Sequence, residues 1–188
     1  MSAGGARRRR LFVGIELDRA AREACAAVGA RLAQRGYAGR YEAAEKLHVT
    51  LAFLGYVEPQ NVERIVAALD AASRGAASFS VTLDKLGAFP HERKPRVIYV
   101  GAREQGPAFR GLAQRVRAAY GAEGFAFAGD AVAHVTIARV KPPQRPLPLV
   151  DVSPITLQVE RLTLFESLPD PAHRTSRYET VATAPFAQ

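Results

Sequence analysis

The chain has 188 residues, of which 48% are hydrophobic and 23% charged, and this composition is typical of a globular protein rather than a disordered one. No apolar run approaches the roughly 20 residues that a membrane-spanning helix needs, and the apolar stretch after the basic segment Arg7–Arg10 is too short for a secretory signal. The single cysteine, Cys25, excludes an internal disulfide and suits a reducing compartment, so we expect a cytoplasmic protein.

The charge balance is strongly positive. The 26 Lys and Arg residues exceed the 18 Asp and Glu residues and give a net charge of +8. Such an excess favours polyanionic partners, nucleic acid above all. A GC-rich genome produces the same enrichment in arginine, so the charge alone leaves both explanations open.

The first half of the chain alternates strands and helices. Residues 1–8 are expected to form a flexible basic tail. Asp18 is placed to cap the first helix, and Pro59 to open the second. The elements predicted here are a strand over 10–17, a helix over 19–34, an extended piece near 41, a strand over 47–54 that stops at Gly55, and a helix over 60–73.

The second half is richer in strands. The segment 87–96 is predicted to be a polar loop bounded by prolines, and 121–129 is rich in glycine. The elements predicted here are strands over 79–83 and 97–100, a helix over 107–120, a strand over 132–140 ended by Pro142 and Pro143, and strands over 155–165 and 178–183. This order favours an α+β fold, with residues 9–188 as a single domain.

One five-residue pattern occurs twice, as His48-Val-Thr-Leu-Ala52 and as His134-Val-Thr-Ile-Ala138. Each copy lies in a β-branched, apolar run of the kind that forms strands, where successive side chains alternate between the two faces. The histidine and threonine of each copy therefore point to the same face. An imidazole exchanges protons near neutral pH, and a hydroxyl can bond an anionic oxygen. The repeat predicts a two-lobed, duplicated fold in which two such strands form one site for phosphate esters.

Other kinds of site are less well supported. Neither motif has the neighbouring carboxylates, cysteines or further histidines of a metal site, so we expect no metal and no cofactor. The sequence has no phosphate-binding Gly-x-x-x-x-Gly-Lys loop and no recognised nucleophile elbow. Two histidines on opposite sides of a phosphorus atom need neither, because one can remove a proton from the attacking oxygen while the other protonates the leaving oxygen.

The segments Leu47–Gly55 and Ala133–Val140 resemble the paired signatures of the two-histidine phosphoesterases. Within that superfamily the chain is similar to the bacterial and archaeal RNA 2′,3′-cyclic phosphodiesterases, also named 2′-5′ RNA ligases. The likeness spans nearly the whole chain and includes Arg10–Ile15, Leu86–Pro90, and a final signature formed by Leu164–Ser167 and the late Tyr178. It implies a bilobal α+β fold of two antiparallel sheets with outer helices and an active-site groove between the lobes.

The same resemblance implies a role for each matching residue. His48 would be the proton donor to the leaving 3′ oxygen, and His134 the proton acceptor that activates water. Thr50 and Thr136 would hold phosphate oxygens, and Arg139 would add positive charge near the phosphate or ribose. The product would be an RNA end that carries a 2′-phosphate. The expected partners are RNAs with 2′,3′-cyclic phosphate ends, tRNA fragments among them, bound by a monomer.

Three positions depart from the family pattern. Ala133 stands where relatives usually have proline, and Val13 stands where they often have an aromatic residue. Phe12 is the neighbouring candidate for substrate binding, although strand alternation turns it away from the face of Val13. Arg139 is five residues after His134, so strict alternation turns it away from the histidine, and it can join the site only through a bulge, the strand end or a long reach.

Two rival functions remain at this point. One is 2′-5′ ligation, which is the reverse reaction with an RNA 5′-hydroxyl in place of water. The other is a non-catalytic RNA- or nucleotide-binding module that uses the same groove. The presence of two proton-transfer groups favours an enzyme, because binding a phosphate does not require them.

Overall fold

A computed structural model describes residues 7–141 and 145–187 of the chain, which form ten strands, three α-helices and two short 3₁₀ turns. The strands are β1 (Arg9–Glu16), β2 (Arg40–Tyr41), β3 (His48–Val57), β4 (Phe79–Leu83), β5 (Lys85–Phe89), β6 (Val97–Gly101), β7 (His134–Arg139), β8 (Ile155–Val159), β9 (Arg161–Asp170) and β10 (Thr175–Pro185). The helices are α1 (Arg19–Gln34), α2 (Val62–Ser73) and α3 (Gly106–Ala122), and the 3₁₀ turns cover Ala44–Lys46 and Pro59–Asn61.

Helix α1 has the bounds that the sequence predicts. Its first turn is fixed because the carboxylate of Asp18 accepts a hydrogen bond from the backbone N–H of Ala21 at 2.8 Å. The buried side chains Cys25, Val28 and Leu32 recur at helical spacing and lie on one stripe. That stripe packs against β7 and β8, while α2 packs against β9 and β10 and also contacts α3.

The main sheet is antiparallel and consists of two halves. Its strand order is β10-β9-β1-β3-β7-β6-β5, with β2 also paired to β7. Each motif strand belongs to one half, so β10, β9, β1 and β3 form the first half and β7, β6, β5 and β2 the second. The two halves meet at a single pairing, Val49 opposite Val135. Strands β4 and β8 form a separate antiparallel sheet. The predicted α+β class, with antiparallel sheets and outer helices, is confirmed.

The two motif strands also bulge at the same place. In β3 the register against β1 passes from Thr50 to Ala52 and skips Leu51, and in β7 the register against β6 skips Ile137 in the same way. Over their first six residues both strands show the same sequence of burial: partly buried, buried, partly buried, buried, buried, exposed. A bulge reverses the alternation of side chains beyond it. The duplication therefore includes the irregularities of the backbone.

Several predicted bounds are wrong, each for a local reason. Residues 85–89 form strand β5, so the loop between β5 and β6 is shorter than the predicted 87–96. The segment predicted as one strand over 155–165 is two strands, since β8 pairs with β4 whereas β9 pairs with β1 and β10. Strand β3 continues beyond Gly55, whose positive φ of 73° is accommodated within the strand.

The described residues share one hydrophobic core, to which both halves of the main sheet and all three helices contribute. Arg7 lies within the predicted tail but pairs with Glu166 on β9 at 3.3 Å, and Arg9 pairs with the same carboxylate at 2.7 Å. The remaining tail residues 1–6, and the Pro142-Pro143 pair predicted to end the second motif strand, lie outside the described residues. No helix in the described part of the chain has the length and apolar character needed to cross a membrane.

Close packing of β1 on β3 leads to a test of how the first motif strand is held. A Cβ atom at Gly14 would lie 2.6 Å from the carbonyl oxygen of Val49 and 3.4 Å from the ring of Phe165. We expect Gly14→Ala to lower the free energy of unfolding by about 1–3 kcal/mol, because backbone must shift to admit the methyl group. The measurement is urea denaturation followed by circular dichroism.

The matched control is Gly111→Ala in α3, where a Cβ would meet no atom within 4 Å. We expect the free energy of unfolding of this variant to rise by about 0.5–1 kcal/mol, because alanine restricts the unfolded chain and favours a helix. Equal stability of the two variants would show that β1 and β3 are not packed as closely as described.

Candidate active site

The motif side chains meet where the two halves of the sheet join. Because Val49 and Val135 are opposite each other and face the core, the residues next to them face the other side of the sheet. Antiparallel register then places the histidine of each strand across from the threonine of the other. His48 and His134 become diagonal neighbours, a relation that typically separates the residues by about 7–8 Å and their Cβ atoms by somewhat less. A phosphate group fits between two imidazoles at such a separation.

Both imidazoles are held in the same way. Nδ1 of His48 lies 2.7 Å from the carbonyl oxygen of Lys46, and Nδ1 of His134 lies 2.8 Å from that of Val132. A carbonyl only accepts, so each Nδ1 carries the hydrogen and each Nε2 is left for chemistry. In His48, Nε2 lies 2.9 Å from Oγ1 of Thr50, whose hydroxyl donates to the neutral ring. Backbone carbonyls two residues before each histidine, just ahead of the strands, therefore fix which ring nitrogen carries the hydrogen.

Aromatic rings enclose each imidazole. The rings near His48, with centroid distances of 4.9, 5.2 and 5.7 Å, are those of Phe12, Tyr178 and Phe165. The rings near His134, at 5.1 and 5.3 Å, are those of Phe89 and Tyr99. These contacts restrict the imidazoles to one orientation and exclude water from their flanks.

This enclosure changes the acidity of both groups. Burial is the largest influence and lowers the pKa of each imidazole below its ordinary value of 6.5. For His48 the hydrogen bond to the Lys46 carbonyl opposes this effect, while the neighbouring His134 reinforces it. For His134 the backbone hydrogen bond again raises the pKa, and the charge of Arg139 lowers it. Both rings are therefore neutral near pH 7 in the free protein.

Arg139 lies on the same side of the sheet as the histidines, and the bulge at Ile137 is the reason. With one residue skipped, the fifth position after the histidine faces the cleft instead of the core. The equivalent position in β3, beyond the bulge at Leu51, is Phe53. The side chains of Phe53 and Arg139 line the same cleft. The two residues occupy equivalent positions in the two halves of the sheet, but one is an aromatic ring and the other a cation.

Glu42 links the two halves electrostatically. Its side chain is 9% exposed, and its carboxylate lies 2.9 Å from Nζ of Lys46, 3.3 Å from Nε of Arg139 and 3.6 Å from Arg40. Burial raises the pKa of Glu42, but the hydrogen bond and charge of Lys46 and the two arginines outweigh it and leave the pKa below the ordinary 4.5. Nζ of Lys46 also donates to Oγ1 of Thr175 at 2.8 Å. The residue whose carbonyl orients His48 is itself fixed in this way.

Phe12 lies beneath the first imidazole. Its ring shares the site face and contacts His48, and it stacks on Phe165 at 4.9 Å. Only 2% of the residue is exposed, so it offers little surface to a nucleobase, although it is among the residues that line the neighbouring cavity. Direct binding of substrate by Phe12 stays a prediction. Val13, on the opposite face, is fully buried in the core.

The cleft over these residues has a volume of about 550 Å³. It brings together five predicted residues: His48, Thr50, His134, Thr136 and Arg139. Sequence reasoning did not assign Glu42, Lys46, Phe53 and Tyr178, which line it as well. Of these four, only Tyr178 had a signal in the sequence, through its resemblance to a late family signature. The positions of the other three depend on bulges and on pairing between distant segments, which the sequence does not reveal. Among the described residues, no group of three or more His, Cys, Asp or Glu side chains is arranged to hold a metal ion.

Comparison with known proteins gives a consistent result. Residues 15–99 match the family model of the LigT-like phosphoesterases. An RNA 2′,3′-cyclic phosphodiesterase of Thermotoga maritima is 30% identical over 84% of this chain and 86% of its own length. Another of that name, from Archaeoglobus fulgidus, is 35% identical over 70% of this chain and 73% of its own length.

Solved structures are similar over nearly the full chain. The apo crystal structure of Escherichia coli LigT superposes with a TM-score of 0.77 at 26% identity and covers 97% of this chain and 100% of that one. A crystal structure of the same protein complexed with 3′-AMP gives a TM-score of 0.74, again at 26% identity and with coverage of 97% and 100%.

The burial of the two imidazoles gives a prediction about pH. We expect His48 and His134 to titrate below 6.5 in the free protein. Bound inorganic phosphate should raise both pKa values, because an anion stabilises the protonated rings. Long-range ¹H–¹⁵N spectra recorded across pH would measure these values, with His48→Asn and His134→Asn used for assignment. Titration at or above 6.5 without phosphate would contradict the described enclosure.

The same lowered pKa values affect stability with a definite sign. Below 6.5 the unfolded chain gains protons on these histidines before the folded protein does, so stability is lost as the pH falls through that value. Between pH 7 and about pH 5.5, a range that brackets 6.5, the free energy of unfolding should therefore fall more for the wild-type protein than for the double variant His48→Asn, His134→Asn. Urea denaturation at each pH measures this difference.

Proposed function

Because the chain belongs to the LigT-like phosphoesterase family, we propose that it is an RNA 2′,3′-cyclic phosphodiesterase that converts a terminal cyclic phosphate into a 2′-phosphate. The single observation that carries this proposal is the pair of Nε2 atoms, presented by two equivalent strands on either side of one cleft. The names of the curated relatives supply the substrate class. Terminal cyclic phosphates on tRNA fragments are among the candidate substrates.

We propose the following chemistry for these residues. His134 Nε2 takes a proton from water as the water oxygen attacks phosphorus. His48 Nε2, in its protonated form, gives a proton to the 3′ oxygen as the P–O3′ bond breaks. Thr50 and Thr136 hold the non-bridging oxygens, and Arg139 balances their negative charge. The anionic substrate itself favours protonation of His48, offsetting the effect of burial.

One chain contributes all of these residues, so the mechanism needs a single copy, and we propose that residues 9–188 act as one bilobal unit. The ligation of an RNA 5′-hydroxyl is the same reaction in reverse and uses the same two groups. Hydrolysis dominates because water is abundant. The cytoplasmic location remains a prediction.

The decisive test is incubation with a short RNA that ends in a 2′,3′-cyclic phosphate, in the presence of EDTA. We expect a 2′-phosphate product from the wild-type protein, with turnover reduced by about 10²–10⁴-fold in His48→Ala and in His134→Ala, the usual effect of losing a positioned acid or base. The dependence of kcat/KM on pH should be bell-shaped with its optimum below 6.5, where both free imidazoles titrate.

Circular dichroism should show that both alanine variants are folded. Near-normal turnover by the double variant would overturn the two-histidine mechanism, and loss of activity with EDTA would overturn its independence from metal. RNA binding without turnover by the wild-type protein would support the binding-module alternative.

A second test separates the roles of the two histidines. A cyclic substrate with sulfur in place of the 3′ oxygen has a leaving group that departs as a thiolate and needs no proton. His48→Ala should therefore recover most of its lost rate on this substrate, whereas His134→Ala should not. The opposite pattern would reverse the assignment of acid and base while leaving the two-histidine mechanism intact.

A further inference from the structure

The face of the sheet that carries the histidines continues beyond them along β3. Phe53 and Tyr56 are 63% and 67% exposed, and they are two of the three large exposed hydrophobic residues in the described part of the chain. Phe53 pairs with Phe12 and Tyr56 with Arg10, two positions apart on β1. Both rings therefore lie on the same face as the active-site cleft.

Arginines border this stretch of the sheet. A cavity of about 640 Å³ adjoins the active-site cleft at Phe53, and its lining includes Arg10 and Arg174. A further cavity of about 690 Å³ follows, lined by Arg7, Arg8 and Tyr56, and Arg10 belongs to both. The three spaces thus form one continuous path away from the histidines.

The charges along this path are available to a ligand. Arg10 donates only to the hydroxyl of Ser167 at 3.3 Å, and within the described ranges neither Arg10 nor Arg174 has a carboxylate within 4.0 Å. Arg8 lies 5.6 Å from the ring centroid of Tyr56 and pairs loosely with Glu58 at 3.8 Å. Because its side chain is 63% exposed, the guanidinium can meet an anion in addition to these contacts.

The ion pairs at the start of β1 explain this arrangement. Arg7 and Arg9 both bond Glu166, a carboxylate on the core side of the sheet. Because strand residues alternate, anchoring Arg9 on that side turns Arg10 toward the face of Tyr56, and Arg8, just before β1, lies over the Tyr56 ring.

The lining of the active-site cleft contributed by residues 126–132 and Arg117 offers less to an anion. Asp130 belongs to this lining, and Arg117 already donates to the carbonyl of Gly129 and lies over the ring of Phe127. An RNA strand leaving the histidines past these residues meets a negative charge and a partly buried arginine, whereas along β1 and β3 it meets exposed arginines and aromatic rings.

A positively charged groove with exposed aromatic rings is the combination that binds single-stranded nucleic acid, since bases stack on the rings and phosphates meet the cations. Four steps along β1, from Gly14 opposite Thr50 to Arg10 opposite Tyr56, span about 14 Å. A mononucleotide held at the histidines does not reach Tyr56, whereas the nucleotides that precede it in an RNA chain do.

We propose that Arg8, Arg10, Tyr56 and Arg174, here called the outer track, bind the single-stranded RNA that precedes the terminal cyclic phosphate. Tyr56 stacks on a base, and the arginines contact backbone phosphates. This inference rests on the proposed function and narrows its substrate class: the protein acts on oligonucleotides in preference to cyclic mononucleotides.

The test compares two substrates, cytidine 2′,3′-cyclic phosphate and a single-stranded RNA of about ten nucleotides that ends in the same group, a length within the usual range of single-strand sites. Tyr56→Ala should lower kcat/KM on the RNA by about tenfold, the typical effect of losing one stacked base, and leave the mononucleotide unaffected. Tyr56→Phe should retain the wild-type preference, because the ring is kept.

Salt dependence tests the arginines. Arg10→Gln should weaken RNA binding and flatten the plot of log affinity against log salt by about 0.7, the value for one lost phosphate contact on a single strand. The matched control is Arg110→Gln, which removes an exposed arginine of α3 that does not line these cavities. The control should leave the slope unchanged.

The result that overturns the proposal is an equal effect of Tyr56→Ala and Arg10→Gln on both substrates, or no effect on either. If the wild-type protein turns over neither substrate, the proposed function fails, and fluorescence anisotropy with the same RNA bearing a 3′-hydroxyl tests the outer track by itself. Weaker binding by both variants then supports the track, and unchanged binding rejects it.

Discussion

The whole site depends on one contact between strands, the pairing of Val49 with Val135. It is the only register pair between the two halves of the main sheet in the described residues, and the histidines and threonines are its immediate neighbours. A slip of one residue in either strand would turn that strand's imidazole into the core and a valine into the cleft. The burial of both valines in a common core makes such a slip costly, so hydrophobic packing on one face fixes the chemistry on the other.

The acid–base behaviour of the site follows from the same construction. A carbonyl two residues before each histidine takes the Nδ1 hydrogen, and aromatic rings cover the flanks of each imidazole. Burial then makes the protonated forms costly in the free protein. An anionic ligand between the rings reverses this preference, which couples protonation to binding. Glu42 contributes by holding Lys46 on one half and Arg139 on the other.

The sequence predicted the parts of this structure that local rules determine. Asp18 was predicted to cap helix α1, whose observed bounds match the prediction, and the repeated motif identified two strands that share one cleft. The bulges were not predictable, because Leu51 and Ile137 are ordinary strand residues and their displacement arises from pairing with β1 and β6. For the same reason, simple alternation predicted that Arg139 points away from the histidines, whereas the bulge turns it toward them. The composition of residues 155–165 likewise does not indicate that they form two strands in different sheets.

Phe53 in β3 and Arg139 in β7 occupy equivalent positions but differ in chemistry, and this difference has a consequence for which ester oxygen of a substrate is expelled. Two histidines on equivalent strands form a nearly symmetric arrangement. A fully symmetric site could not distinguish which of two ester oxygens is expelled. The first half of the sheet places the ring of Phe53 in the cleft, and the second half places the guanidinium of Arg139 there. A ligand with a base at one end and an anionic backbone at the other therefore has a preferred direction of entry. Under the proposed mechanism, a nucleotide seated in that direction would present its O2′ and O3′ to different imidazoles. In the proposed reaction, this chemical difference between the two halves is a structural source of regioselectivity.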